Sequence, residues 1–148
     1  TGREILTVAQ RTMGLPEHRV EEMLSRVGLT RTEAGRRVRD YSLGMRQRLG
    51  IATALLGDPD VLILDEPANG LDPAGIREIR ELLRSLAAEG MSVFVSSHLL
   101  AEVQLMCDRV AIIHKGRVLK EGSVDELLAK DQTLEEMFIE ITGGETVD

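Results

Sequence analysis

The sequence predicts an α/β fold in which a helical lobe precedes a mainly parallel sheet flanked by helices. Amphipathic segments with the periodicity of an α-helix fill residues 1–57. Short apolar runs then alternate with helical segments over residues 58–122, an alternation typical of parallel sheets. Residues 123–148 are predicted to form a helical tail.

Three helices are predicted in the lobe. The first precedes Gly14, and the second follows Pro16 and ends at Gly28, a residue type that commonly closes helices. The third begins after Ser42, which suits an N-cap, and runs to Leu56. The second helix has one apolar face made of Val20, Met23, Leu24 and Val27.

The second predicted unit alternates strands with helices. Val61–Leu64 is a continuous apolar run, which indicates a strand covered on both faces. The predicted order is strand 61–64, helix 74–89, buried strand 91–97, helix 99–106, strand 110–113 and a turn at 115–116 into strand 117–120.

Composition limits the possible functions. The formal net charge of −7 argues against a general nucleic-acid-backbone binder, which usually carries excess Lys and Arg. Cys107 is the only cysteine, so no intramolecular disulfide can form. No apolar run approaches the roughly 18–20 residues that span a bilayer, so we expect any membrane link to run through a partner.

Two consecutive carboxylates, Asp65 and Glu66, end the first predicted strand. Buried charges are costly unless a cation or polarised ligand meets them, and ligands of open α/β sheets bind where parallel strands end. We therefore expect Asp65 in the ligand shell of a nucleotide-borne Mg²⁺ and Glu66 beside an attacking water. The alternative is a strand end with two solvated acids.

Three further segments carry candidate site residues. Ser42 and Gly44 lie at a predicted helix N-terminus, which offers free N–H groups to a phosphate. A simple helix cap is an equally compatible role. A cap on the next helix would by itself account for Asp72. His98 could likewise be an ordinary histidine after a strand.

Taken together, four ordered motifs resemble those of ATP-binding-cassette (ABC) ATPases. The resemblance covers nearly the whole chain, and the Leu-Gly-Met variant with Leu134–Phe138 is most similar to bacterial drug and polysaccharide exporters. The motifs are YSLGMRQR (41–48), VLILDEP (61–67), NGLDP (69–73) and SSH (96–98), which match the signature, Walker B, D-loop and H-loop.

The resemblance implies a partial P-loop NTPase fold and an ATP-hydrolysing role with ATP and Mg²⁺ as cofactors. It implies that Asp65 supports Mg²⁺ and that Glu66 is the general base. His98 would contact the γ-phosphate and stabilise the transition state. Such roles suit phosphoryl transfer, which depends mainly on positioning and charge stabilisation.

The resemblance also implies partners. Ser42 and Gly44 would grip the γ-phosphate of ATP held by a second nucleotide-binding subunit, and Asp72 would shape the dimer interface. A transmembrane permease would hold the subunit at the cytoplasmic face of the membrane and export the substrate. Met45 stands where the family's signature has Gln, so the amide side chain is missing at this position.

Two other interpretations remain open. Chromosome-maintenance and DNA-repair ATPases share these motifs, but a long coiled coil precedes their signature, whereas Gly14, Pro16 and Gly28 interrupt the helices here. A stand-alone interaction module without catalysis is the second alternative. Retention of Asp65, Glu66 and His98 argues against that module.

The 148 residues contain no Gly-x-x-x-x-Gly-Lys-Ser/Thr motif, whose backbone and Lys hold the β- and γ-phosphates. In the family, the corresponding strand lies between the strand leading to His98 and strand 110–113. We therefore expect a gap in the sheet there, with exposed edges that favour self-association or a rearranged sheet.

Without that phosphate-binding loop, we predict that the 148-residue chain does not bind ATP usefully on its own. Calorimetric titration with ATP should give no saturable heat. Saturable binding with a dissociation constant in the micromolar range would contradict this prediction.

Overall fold

The computed structural model describes residues 1–129 and 132–143, and the predicted order of elements is confirmed within them. Its short helix α3 and the 3₁₀ turn Val38–Asp40 were not predicted. The elements are α1 Gly2–Thr12, α2 His18–Arg26, α3 Arg31–Ala34, α4 Leu43–Leu55, β1 Val61–Asp65, α5 Pro73–Ala88, β2 Ser92–Ser96, α6 Leu100–Met106, β3 Arg109–His114, β4 Arg117–Ser123, α7 Val124–Leu127 and α8 Leu134–Thr142.

Contacts divide the chain into two compact units, residues 1–96 and 97–148. The predicted domain boundaries at residues 57 and 122 were drawn from sequence motifs and not from packing. They stay predictions. Within the described part of the chain, no helix has both the length and the apolar content needed to cross a membrane.

Helices α1, α2 and α4 pack together at the start of the first unit. The predicted apolar face of α2 is confirmed, because all four of its residues are buried. Gly28 ends α2 with a φ of +71°, a left-handed conformation that glycine adopts at little steric cost. Leu6, Leu55 and Leu56 complete this core.

Arg19 of α2 fixes the end of α4. Its guanidinium donates hydrogen bonds of 3.1 Å to the carbonyl oxygens of Leu55 and Leu56. The last carbonyls of a helix lack intrahelical partners, so this side chain satisfies them where the helix meets its neighbour. The C-terminal end of α4 is thereby attached to α2.

The strands form two separate pairs. In the first unit β1 and β2 are parallel, with Val61 opposite Ser92 and Asp65 opposite Ser96. In the second unit β3 and β4 form an antiparallel hairpin. Each sheet has two strands within the described residues, and both the gap and the self-association stay predictions.

The prediction that the strands are buried on both faces is wrong in the first unit. Leu62 is only 2% exposed, but Val61 is 48%, Ile63 is 77% and Phe94 of β2 is 63% exposed. Successive side chains of a strand point to opposite faces, and α5 packs against the sheet. One face is therefore covered and the other is open.

The second unit has a small core of its own. Ile112 of β3 is buried together with Leu134 and Met137 of α8. The Gln104 side-chain oxygen accepts a hydrogen bond of 2.9 Å from the Leu134 N–H, which attaches the start of α8 to α6. Thr133 and Glu136 form a capping box at the same helix end.

Candidate functional site

Asp65 and Glu66 lie where β1 ends, as the sequence predicted. Asp65 is exposed and Glu66 is half-buried. Glu66 has a φ of +48°, in the left-handed region that non-glycine residues rarely occupy. Such conformations persist only where surrounding contacts enforce them, and they cluster at functional sites.

Ser96, at the end of β2, connects the two acids. Its hydroxyl donates a hydrogen bond to Asp65 Oδ1. The Glu66 N–H donates to both Ser96 Oγ and the Ser96 carbonyl oxygen, at 3.1 Å each. Ser96 begins the SSH motif, but its contact with the acids becomes visible only from the strand register, which pairs it with Asp65.

The acidic pair fits a Mg²⁺ ion that is also held by a nucleotide. Among the described residues, no group of three or more His, Cys, Asp or Glu side chains could hold a metal ion. Mg²⁺ commonly takes one or two carboxylates and completes its shell with waters and substrate phosphates. Asp65 offers an exposed oxygen donor of this type.

Ser42 caps α4, as predicted. Its Oγ accepts a hydrogen bond of 3.2 Å from the Met45 N–H. The preceding Tyr41 is buried, and its hydroxyl donates to the Glu33 carbonyl oxygen at 2.9 Å. Burial, together with the nearby Glu33 carboxylate, raises the pKa of the Tyr41 phenol, so the hydroxyl keeps its proton and this anchor.

Met45 points into the protein, because it is only 6% exposed. A buried thioether cannot replace an exposed amide as a hydrogen-bond donor. At this helix end the Ser42 hydroxyl and backbone N–H groups remain available to a phosphate, whereas the Met45 side chain does not.

Asp72 caps α5, as predicted. Its Oδ1 accepts a hydrogen bond of 3.0 Å from the Gly75 N–H, and Pro73 occupies the first turn. Between Glu66 and Asp72 the chain forms tight turns, in which Asn69 N–H donates to the Glu66 carbonyl oxygen at 3.1 Å. The segment 66–72 thus leads directly from the acidic pair to the start of α5.

An open depression of about 360 Å³ brings the signature and D-loop segments together. Arg48 and Glu78 on its wall form an ion pair at 3.4 Å. Its lining residues include Ser42, Gly44, Gly70, Leu71, Asp72 and Gly75. The depression therefore lies between the N-termini of α4 and α5.

His98 is exposed and belongs to the second unit. The preceding Ser97 accepts a hydrogen bond of 3.1 Å from the Leu99 N–H through its Oγ, which shapes the turn after β2. The predicted approach of His98 to a γ-phosphate beside Glu66 stays a prediction.

Comparison with solved structures supports an ABC ATPase fold. A structure titled as the ATP-binding subunit of an ABC transporter superposes with a TM-score of 0.80 at 31% identity, covering 96% of this chain and 62% of that one. An ATP-binding cassette solved as a dimer in a post-hydrolysis state with ADP and Pi gives 0.64 at 28% identity, covering 73% and 47%. Fold and motifs together define a P-loop NTPase of the ABC class.

A family model described as "AAA domain, putative AbiEii toxin, Type IV TA system" matches residues 26–103, more than half of the chain. The chain belongs to this AAA-domain family, and its curated relatives are ATP-binding proteins of ABC transporters.

The curated relatives carry ABC transporter names. The uncharacterised ABC transporter ATP-binding protein YhcH of Bacillus subtilis is 54% identical over 80% of this chain and 40% of its own length. The bacitracin transport ATP-binding protein BcrA of Bacillus licheniformis is 46% identical over 89% and 44%. The lantibiotic transport ATP-binding protein SrtF of Streptococcus pyogenes is 42% identical over 90% and 56%.

The chain thus spans only part of these relatives, between 40% and 56% of their length.

Gly70 lies in the depression between the signature and D-loop segments. Its φ is +73°, and an added Cβ would lie 3.1 Å from Leu43 Cδ2. We expect Gly70→Ala to lower the free energy of unfolding by about 1–2 kcal/mol, the usual cost of a left-handed conformation. Urea denaturation with linear extrapolation measures this change.

The matched control is Gly50→Ala. Gly50 is exposed within α4, and an added Cβ would meet no atom within 4 Å. The same substitution should there raise the free energy of unfolding by about 0.5–1 kcal/mol, since alanine favours helices. Equal effects at the two positions would contradict the assigned role of Gly70.

Proposed function

We propose that the protein containing this chain is the ATP-hydrolysing subunit of an ABC transporter and powers export through a membrane permease. The observation that carries this proposal is the hydrogen-bonded arrangement of Asp65, Glu66 and Ser96 at the end of two parallel strands. The names of BcrA and SrtF, which concern bacitracin and lantibiotic transport, support a transport role.

In this proposal the two acids have different roles: Asp65 binds the metal ion, and Glu66 acts on the attacking water. Mg²⁺ bound with ATP neutralises charge on the β- and γ-phosphates, and Asp65 contributes an oxygen to its ligand shell. Glu66 accepts a proton from the attacking water. His98 contacts the γ-phosphate from the turn after β2 and stabilises the developing charge.

The signature residues act on a second subunit in this proposal. The N-terminus of α4, with the Ser42 hydroxyl and the Gly44 backbone, is a suitable place for a phosphate. The depression that they line is open to solvent, so it can receive a nucleotide held by another chain. Asp72, on the same depression, would contribute to the interface between the two subunits.

ATP itself needs a phosphate-binding loop that the 148 residues do not contain. We propose that another segment of a longer subunit supplies this loop. The transmembrane permease would bind the helical lobe at the cytoplasmic face of the membrane.

Glu66→Gln in the full-length subunit should abolish most ATP hydrolysis. Loss of the general base is expected to lower kcat by about 10²–10⁴-fold, while the neutral amide keeps the size of the side chain. Phosphate release at saturating ATP measures this change. Glu81→Gln, at an exposed position of α5, should hydrolyse ATP like wild type. A wild-type rate of hydrolysis in the Glu66→Gln variant would contradict the assignment of Glu66 as the general base.

Mixing two impaired variants tests the sharing of sites between subunits. A dimer of Glu66→Gln with Ser42→Ala has both lesions in one shared site and none in the other. Random mixing should therefore restore roughly one quarter of wild-type hydrolysis for a twofold dimer, with folding of each variant checked by circular dichroism. If each subunit hydrolysed ATP with its own Ser42, mixing would restore nothing.

A further inference from the structure

We propose that Ser96 is a positioning residue for ATP hydrolysis, which holds Asp65 and Glu66 in their working geometry. This inference rests on the proposed function and names a further residue of the same site. Ser96 would touch neither nucleotide nor water, and it would act through the two acids.

The contacts of Ser96 connect both acids through one hydroxyl. As donor, Ser96 Oγ bonds to Asp65 Oδ1. As acceptor, it receives the Glu66 N–H at 3.1 Å. A hydroxyl can donate and accept at once, so a single side chain fixes the Asp65 carboxylate relative to the Glu66 backbone.

The backbone of Glu66 needs such support. With a φ of +48°, Glu66 is in a conformation that side-chain-bearing residues avoid. The N–H of Glu66 is shared between the hydroxyl and the carbonyl oxygen of Ser96. These two bonds hold the backbone of Glu66 in its left-handed conformation.

Neighbouring serines cannot take over this role. Ser97 Oγ accepts from the Leu99 N–H at 3.1 Å, in the turn after the strand. Ser92 lies on the same strand but at its other end, opposite Val61. Ser92 is also exposed, which makes it a matched control of the same residue type.

The test compares Ser96→Val with Ser96→Thr in the full-length subunit. Valine and threonine have nearly the same shape and both suit a strand, but only threonine keeps the hydroxyl. We expect Ser96→Val to lower kcat about 10–100-fold, because small misplacements of reacting groups have effects of this size. KM for ATP should change little, since the acids would be displaced and not lost.

Ser96→Thr should keep most of the wild-type kcat, whereas Ser96→Ala should lower kcat as much as Ser96→Val does. The control variant Ser92→Ala should have the wild-type kcat. Thermal melting by circular dichroism checks that each variant folds. If Ser96→Val keeps the wild-type kcat, or if threonine fails to restore it in a folded protein, the positioning role is overturned. A wild-type subunit without ATP hydrolysis would instead overturn the proposed function.

Discussion

The parallel pairing of β1 with β2 is the constraint on which the acidic site depends. Its register brings the last residues of the two strands level, so that Asp65 lies opposite Ser96. The Glu66 N–H donates a hydrogen bond to the Ser96 carbonyl oxygen at this end of the pair. The pairing of the strands therefore also holds the residue that follows β1. At this attachment Glu66 adopts a left-handed conformation, with a φ of +48°.

Helix capping provides the second half of the candidate site. Ser42 and Asp72 each satisfy a backbone N–H in the first turn of a helix, which is an ordinary structural role. Both caps also line one depression. Because helix N-termini carry partial positive charge, the same residues that stabilise α4 and α5 create a surface suited to phosphate. Stability and the proposed function are thus served by one set of contacts.

The parallel sheet is half covered, and this has a physical consequence. Leu62 is buried, whereas Ile63 and Phe94 lie on the open face with 77% and 63% of their surface exposed. Exposed apolar clusters commonly mark surfaces that contact other protein. The sequence spans only part of its relatives' length, and the continuous apolar run of β1 suits a strand with cover on both sides.

Much of the local structure could be predicted because the contacts that determine it are close in sequence. The caps at Ser42 and Asp72 join residues three positions apart, and the end of α2 depends on Gly28 alone. Motif order likewise predicted roles for Asp65 and Glu66 and indicated the family. Periodicity could not predict which face of β1 is covered, since a fully apolar run has the same pattern whether one or both faces are packed.

By itself, then, the sequence determined the order of the longer helices and the strands, the caps at Ser42 and Asp72, and the place of the two consecutive acids at the end of β1. Only the tertiary structure decided that Ser96 bonds to Asp65 and Glu66, and that Arg19 secures the end of α4. Ser96 and Asp65 are 31 positions apart, and Arg19 is 36 positions from Leu55. Contacts across such separations depend on strand register and helix packing, which no short stretch of residues specifies.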